Sequence, residues 1–212
     1  MTLMTRIDHL SPTPDRVGRY RIVFDDGSSM RLYRQTVEDF GLFTGMELDD
    51  AHISALRKAA GEMSAKMRAV RIVAASSVSK GDLERRLVQK GEDPEQARSA
   101  VKWMSDLSLI DDRRTAEQIV ASCARKGYGM ARAKQALYEK KIPREFWDEA
   151  LADYPDQTDW ILSYFQHKLP ADADEKDIKR AVDAMLRRGH SYHQIRRVLE
   201  QYSVDTECFP EE

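Results

Sequence analysis

The stretch that decides the predicted fold runs from Leu83 to Ile119 and reads LERRLVQKGEDPEQARSAVKWMSDLSLIDDRRTAEQI. Leu83 and Leu87 are one helical turn apart, and Gly91 follows where a helix would end. Asp93 and Pro94 then supply an N-cap and a first-turn proline for a second helix. Asp111 or Asp112 is placed to cap a third. The stretch therefore predicts two helices and the start of another.

Parts of this pattern return twice further along the chain. Superposing Leu87, Leu137 and Leu199 aligns the segments LERRLVQKGED, AKQALYEKKIP and IRRVLEQYSVD. Upstream of the last two, Arg125-Lys126-Gly127 falls on Arg187-Arg188-Gly189. The extra length between these copies, residues 154–172, contains an aromatic pattern that predicts an additional amphipathic helix. Three related helical units, each unable to bury its apolar face alone, are expected to stack into an elongated curved body.

The N-terminal part carries the strand signal. Apolar residues alternate from Tyr20 to Phe24 and again from Met30 to Leu32, on either side of the turn sequence Asp25-Asp26-Gly27-Ser28. A lone hairpin is marginal in water, so residues 6–10 are a candidate third strand. A helical stripe begins at Asp49, with a break left open at Gly61.

The predicted fold class is mainly α, with tandem three-helix repeats preceded by a small β-hairpin-containing module. The bounds predicted for its parts are 1–48 for the β module, 49–76 for a linking helix and the start of repeat 1, 77–110 for the rest of repeat 1, 111–153 for repeat 2, 154–173 for an inserted acidic and aromatic segment, and 174–212 for repeat 3 with a C-terminal tail.

Composition indicates a water-soluble protein. Hydrophobic residues make up 42% and charged residues 33% of the chain, and the mean hydropathy is -0.62. No apolar run approaches the roughly 18 residues that would span a bilayer, and the first residues lack the features of a signal peptide. Cys123 and Cys208 match no metal-site spacing, which predicts reduced thiols in a cytoplasmic protein.

The net charge of -2 hides an uneven distribution. Residues 113–144 contain nine basic and two acidic side chains, whereas residues 145–177 contain ten acidic and two basic ones. Alternating blocks of charge can steer association with a polyanion or with a charged protein surface. The alternative is that they are ordinary solvated helix faces.

Patterns typical of catalytic sites are missing from the sequence. It contains neither a glycine-rich phosphate-binding loop nor any other nucleotide loop after a strand. His190 and His193 are three residues apart, but no second cluster of His or Cys accompanies them. Cys123 lies on an apolar stripe, which favours a packed thiol over a nucleophile. We expect no enzyme activity, no cofactor and no metal.

A binding function is better supported, because basic residues recur at related positions in the repeats. Repetition would align them for contact with a phosphate backbone or a regular acidic partner. Tyr128 and Tyr192 lie beside them and could stack on bases, although packing at helix junctions is the favoured interpretation. The candidate contact residues are Arg85, Arg86, Arg125, Lys126, Arg132, Lys134, Arg187, Arg188, Arg196 and Arg197.

Three motifs in order resemble those of the RecX family, the regulatory proteins of bacterial recombination. The run LRRGHSYHQIRRVL at 186–199 resembles the family's arginine-pair, glycine and Ser-Tyr signature, and LIDD at 109–112 resembles its Leu-Asp-Asp hallmark. Arg125-Lys126-Gly127 with Leu137 and Ile142 is similar to its second-repeat pattern. Thr115, Ala133 and His190 replace larger or aromatic residues usual in the family.

The resemblance implies a monomeric protein that binds the RecA recombinase on single-stranded DNA. It would lodge in the filament groove and modulate, usually negatively, the ATPase, recombination and DNA-repair activity of RecA. The basic residues named above would contact filament or DNA, while Asp111 and Asp112 would be structural caps at the repeat junction. The alternatives are a stand-alone helical DNA-binding module without a recombinase partner, and a purely structural adaptor.

Overall fold

The computed structural model describes residues 4–15, 18–169 and 173–201. The chain divides into two compact units. The first consists of Met1–Ser77 and Leu83–Ile110, and the second of Val78–Asp82 and Asp111–Glu212. No helix of the described residues is long and apolar enough to cross a membrane.

The first unit begins with a four-stranded antiparallel sheet in the order β3-β2-β1-β4. Both the predicted hairpin and its candidate third strand are present, so that part of the prediction is confirmed. Strand β4 was not predicted, because three residues are too few to show an alternating pattern. The strands are β1 Met4–Pro12, β2 Arg19–Phe24, β3 Ser29–Tyr33 and β4 Glu47–Asp49, and the short helix α1 Arg34–Asp39 follows β3.

The apolar face of the sheet is not buried by residues of the sheet alone. Ile7, Ile22 and Leu32 are fully buried in one cluster with Ile53 and Leu56, which lie at the start of the next helix. Alternation along the strands brings their apolar side chains to a single face, and that face is covered by the helix. The β module therefore shares its core with the helix that follows it.

That helix, α2 Asp50–Ala75, runs without interruption. Asp49 caps it by accepting a hydrogen bond from the His52 backbone N–H at 2.8 Å. The break left open at Gly61 does not occur. A Cβ at Gly61 would lie 2.3 Å from the side-chain oxygen of Gln96, so glycine there leaves room for a side chain of helix α4 (Pro94–Asp106). Helix α3, Lys80–Gln89, completes the three helices of repeat 1.

The second unit continues the helical repeats. Its first three-helix group packs around a core that includes Val120, Leu137 and Trp147. Its second group packs around Phe165, Met185 and Ile195. The bounds are α5 Asp112–Arg125, α6 Met130–Glu139, a 3₁₀ turn Arg144–Phe146 leading into α7 Trp147–Leu151, α8 Thr158–Lys168, α9 Glu175–Arg187 and α10 Tyr192–Gln201.

Helix α8 is the additional amphipathic helix predicted between the second and third copies of the motif, with Ile161 and Phe165 buried. The predicted fold class, mainly α with helical repeats after a small strand module, is confirmed. The C-terminal tail beyond residue 201, with Cys208, lies outside the described residues.

Candidate functional site

The ten predicted contact residues are distributed over both units. Arg85 and Arg86 lie on α3 in the first unit, and the other eight lie in the second. Three of these eight form ion pairs, at 3.0 Å for Arg132 with Glu139, 3.2 Å for Arg196 with Glu200 and 3.3 Å for Arg197 with Asp156. Surface pairs of this kind are weak, so these cations remain available to a partner.

Four others are exposed and form no ion pair with a residue that the structure describes: Arg125, Lys126, Lys134 and Arg187. Arg125 and Lys126 lie at the end of α5, and Arg187 lies at the equivalent end of α9. The equivalence of the two repeats thus places uncompensated positive charge at the same position in each. We refer to these four residues as the exposed basic set.

Arg188 differs from the rest of the predicted set. Its guanidinium carbon lies 4.8 Å from the ring centroid of Tyr128 and 4.2 Å from that of Trp160. One of its amino groups donates to the Lys126 carbonyl at 2.5 Å. A guanidinium held by two aromatic rings and a carbonyl is already engaged within the protein. Arg188 therefore ties two loops of the second unit together.

Of the two tyrosines considered as base-stacking residues, Tyr128 packs at a helix junction. Arg188 lies over its ring, and its carbonyl accepts the Tyr154 hydroxyl at 2.6 Å. Burial raises the pKa of Tyr154 to about 12, so this hydroxyl keeps its proton at neutral pH. Tyr192 is 37% exposed and lies at the start of α10. The packing interpretation thus fits Tyr128.

The loops that meet around Arg188 are the ones that the repeat superposes. Backbone N–H groups of Gly129 and Ala131 donate to the carbonyls of Arg188 and Gly189, at 2.9 and 3.3 Å. A Cβ at Gly129 would lie 2.0 Å from the Gly189 carbonyl oxygen. Only a residue without a side chain allows the two backbones to come this close. We call this contact between residues 127–129 and 188–190 the glycine junction.

His190 is the buried side chain of the glycine junction. It is 4% exposed, stacks on Trp160 with the ring centroids 6.1 Å apart, and has Nε2 at 3.0 Å from the Gly127 carbonyl oxygen. Burial lowers the pKa of His190, and the positive charge of Arg188 lowers it further, while the bond to Gly127 acts in the opposite direction. The imidazole is therefore neutral, with Nε2–H as the donor.

A metal role for His190 gains no support from this geometry. Its Nε2 is used by the Gly127 carbonyl, and within residues 4–15, 18–169 and 173–201 no group of three or more His, Cys, Asp or Glu side chains is placed to hold a metal ion. Cys123 is buried in the core of repeat 2, and burial raises the pKa of its thiol. Packing in the protein interior therefore explains both His190 and Cys123.

The Asp pair lies where α5 begins. Asp111 accepts a hydrogen bond from the Arg114 backbone N–H at 3.2 Å and is the N-cap of α5. Asp112 is 6% exposed and accepts from the Lys80 backbone N–H at 2.8 Å. Thr115, which stands where the resembled family has an aromatic residue, uses its hydroxyl to reach the Val78 carbonyl at 3.4 Å. Asp112 and Thr115 thus connect α5 to the segment 78–82, whereas Asp111 caps α5 itself.

Sequence reasoning did not identify Trp160 as the partner of Arg188 and His190. Its position on an amphipathic helix was the available signal, but that signal does not specify a partner some 30 residues away along the chain. A Cβ on Gly127 would lie 2.0 Å from the Trp160 ring, so glycine at this position leaves the space that the indole fills.

Comparison with known proteins identifies relatives of this chain. A family model described as RecX, second three-helix domain, matches residues 111–151. The regulatory protein RecX of Chlorobaculum tepidum is 34% identical over 140 residues, which cover 64% of this chain and 86% of that protein. The regulatory protein RecX of Cronobacter sakazakii is 36% identical over 103 residues, which cover 44% of this chain and 61% of that protein.

Solved structures give the same fold. A crystal structure of a regulatory protein RecX superposes with a TM-score of 0.61 at 18% identity, covering 92% of this chain and 99% of the other. The crystal structure of RecX from Lactobacillus salivarius gives a TM-score of 0.57 at 19% identity, covering 68% of this chain and 97% of the other. The first of these likenesses extends over nearly all of both chains.

Proposed function

The chain belongs to the RecX family of regulatory proteins, and from this premise we propose that it binds the RecA filament on single-stranded DNA and lowers the ATPase activity of RecA. Membership in the family is the observation that carries the proposal, and it confirms the resemblance read from the motifs. The protein acts by binding, without catalytic chemistry of its own, as a monomer and in the cytoplasm where the filament assembles.

The exposed basic set supports this proposal. A nucleoprotein filament presents regularly spaced acidic surface, and cations that repeat along a protein can meet it at more than one point. We assign the main contacts to Arg125, Lys126, Lys134 and Arg187, and supporting contacts to Arg85, Arg86, Arg132, Arg196 and Arg197. Arg188 acts through the glycine junction, as a positioning residue.

The direct test is the rate of ATP hydrolysis by RecA on single-stranded DNA, measured with and without the protein. We expect the rate to fall as the protein is added up to an equimolar amount. An unchanged rate in the presence of folded protein would contradict the proposal. Tight binding to bare DNA without any effect on RecA would identify the stand-alone DNA-binding module instead.

A matched pair of variants tests the residues. Arg125→Gln/Lys126→Gln/Arg187→Gln removes three charges of the exposed basic set. The control Lys168→Gln/Lys176→Gln/Lys179→Gln removes three exposed charges from α8 and α9 of the same unit. We expect the first variant to need about tenfold more protein for half of the effect, since each lost phosphate or carboxylate contact weakens binding. The control should stay within about twofold. Equal effects would mean that overall charge, and not these positions, governs binding.

A further inference from the structure

A cleft of about 430 Å³ lies in the first unit, between the sheet and helices α2 and α3. Half of the residues that line it are basic, and none of the described residues that line it is Asp or Glu. Only one of the basic residues belongs to the set predicted from the repeats. The five are Arg19, Arg68, Arg71, Arg86 and Lys90.

Two of these cations are held in place by carboxylates outside the lining. Arg68 pairs with Glu92 at 2.8 Å, and Arg19 pairs with Asp15 at 2.9 Å. Glu92 is only 8% exposed and also accepts the Ser64 hydroxyl at 3.0 Å. A buried carboxylate with two partners fixes the guanidinium of Arg68 against the cleft.

Two other cations that line the cleft carry uncompensated charge. Arg71 donates to the Met67 carbonyl and to the Tyr33 hydroxyl, each at 3.1 Å, and it forms no ion pair with a described residue. Lys90 is exposed and likewise has no carboxylate partner among the described residues. Neither positive charge is balanced by a carboxylate that the structure describes, so both are open to an anion.

The shape of the cleft indicates what kind of anion it fits. The α2 residues that line it extend from Ser64 to Ala75, which is about 16 Å along a helix. That length exceeds a single phosphate group. Tyr33, Ile72 and Ala75 line the same cleft and offer apolar surface next to the cations. Cations in a row beside an aromatic ring are the arrangement that single-stranded nucleic-acid grooves use.

We propose that this cleft binds the sugar–phosphate backbone of a single nucleic-acid strand, directly and without a protein partner. Arg71 and Lys90 contact phosphates. Arg68 and Arg19, each held by its ion pair, line the cleft, and the Tyr33 side chain contacts a sugar or base. The site is separate from the exposed basic set, which lies in the second unit. It does not depend on RecA, so its test and that of the proposed function have independent outcomes.

The experiment measures binding of the full chain to a fluorescent oligo-dT of about 16 nucleotides by anisotropy, without RecA and over a range of NaCl concentrations. The variant Arg71→Gln/Lys90→Gln is compared with Arg57→Gln/Lys58→Gln, which removes an equivalent exposed Arg and Lys from the start of α2. The cleft variant should bind about tenfold more weakly, and its plot of log K against log salt should be shallower by about 1.4, the value for two lost contacts to a single strand. The control should change affinity by less than about twofold.

Three results would overturn the proposal. The first is that the unmodified protein shows no salt-sensitive binding to the oligonucleotide. The second is that both variants weaken binding equally, which would indicate diffuse attraction. In the third, ATP or inorganic pyrophosphate would displace the strand at equal phosphate concentration, which would identify a small-anion site. Circular dichroism of both variants ensures that lost binding is not lost folding.

Discussion

At the scale of single residues, Arg187 and Arg188 show how adjacent arginines of one motif take different roles. Arg187 is exposed and forms no ion pair with a described residue, whereas Arg188 lies between Tyr128 and Trp160 and donates to the Lys126 carbonyl. In the sequence they form one arginine pair of the repeated motif. Helix geometry separates them, because consecutive residues on a helix point about 100° apart and only one can turn toward the neighbouring loop.

Replacing Arg188 should therefore cost stability where replacing Arg187 does not. Two cation–π contacts and one charge-assisted hydrogen bond predict that Arg188→Ala lowers the free energy of unfolding by about 2 kcal/mol. Arg187→Ala should stay within about 0.5 kcal/mol. Urea unfolding followed by circular dichroism measures both. Equal losses in the two variants would contradict the role given to Arg188.

His190 predicts a dependence of stability on pH. Burial holds its pKa below the ordinary value of 6.5, so below that pH the unfolded chain binds a proton more readily than the folded protein. Stability should be unaffected above about pH 6.5 and should fall below it, by at most about 1.4 kcal/mol per pH unit, until the pKa of the folded state is reached.

The variant His190→Gln keeps a donor for the Gly127 carbonyl but cannot titrate. We expect its unfolding free energy to change less between pH 7 and pH 5 than that of the unmodified protein. His193→Gln, which removes an exposed histidine of the same helix region, should leave the pH dependence as it is. An identical pH profile for all three proteins would show that His190 is not its source.

At the scale of elements, the repeats are joined by close backbone contact as much as by apolar packing. Gly129 has an ordinary negative φ of -75°, so its glycine is not required by backbone conformation. It is required by the Gly189 carbonyl oxygen, which leaves no space for a Cβ. Residue 129 is thus a glycine because two loops have to meet there.

Gly129→Ala is expected to cost about 3 kcal/mol or more, since backbone on both sides would have to move. Gly91→Ala is the comparison: Gly91 has a φ of +88° and open space around it, so strain alone should cost about 1 kcal/mol. Thermal unfolding of both variants measures the difference. A smaller loss for Gly129→Ala than for Gly91→Ala would contradict the close contact at the glycine junction.

The two aspartates that begin α5 should also differ. Asp111→Ala removes an exposed N-cap and should cost about 1 kcal/mol. Asp112→Ala leaves the Lys80 backbone N–H without its partner in a buried position, and we expect it to cost about 2 to 3 kcal/mol. Chemical denaturation of the two single variants provides the comparison, and a larger loss for Asp111→Ala would refute it.

At the scale of the whole molecule, alternating charge is expected to make regulation salt-dependent. Exposed charges are screened beyond about 8 to 10 Å at physiological ionic strength. The concentration of protein that gives half of its effect on RecA should therefore rise as NaCl increases from about 50 to 200 mM. Titrations at several salt concentrations, each normalised to RecA alone, measure this. A constant half-effective concentration would indicate that apolar contacts carry the interaction.

The role of the β module is better tested with point variants than with a truncation. Leu48 of β4 is buried in the same core as Ile53 and Leu56 of α2, so deleting residues 1–48 would expose apolar surface on that helix. Loss of activity in such a truncation would not distinguish a missing binding site from a damaged fold. Substitutions at Arg71 and Lys90 leave that core intact and test the cleft beside the sheet.

The sequence by itself determined the helices, the repeat and the family. Asp49, Asp93 and Asp111 mark helix starts because an N-cap acts on N–H groups within three residues of itself. Apolar residues three and four apart likewise report on a single helix face. These signals are local, and a single sequence displays them directly. The motifs of the three repeats also indicated the family.

Only the tertiary structure decided which residues meet. The His190 contact with Gly127 joins residues 63 apart, and the Arg71 contact with Tyr33 joins residues 38 apart. The packing of Gln96 against Gly61 and the pairing of β4 with β1 are of the same kind. Local periodicity carries no information about such pairs, because they form when folded elements pack against one another. The glycine junction and the basic cleft therefore became visible only in the folded chain.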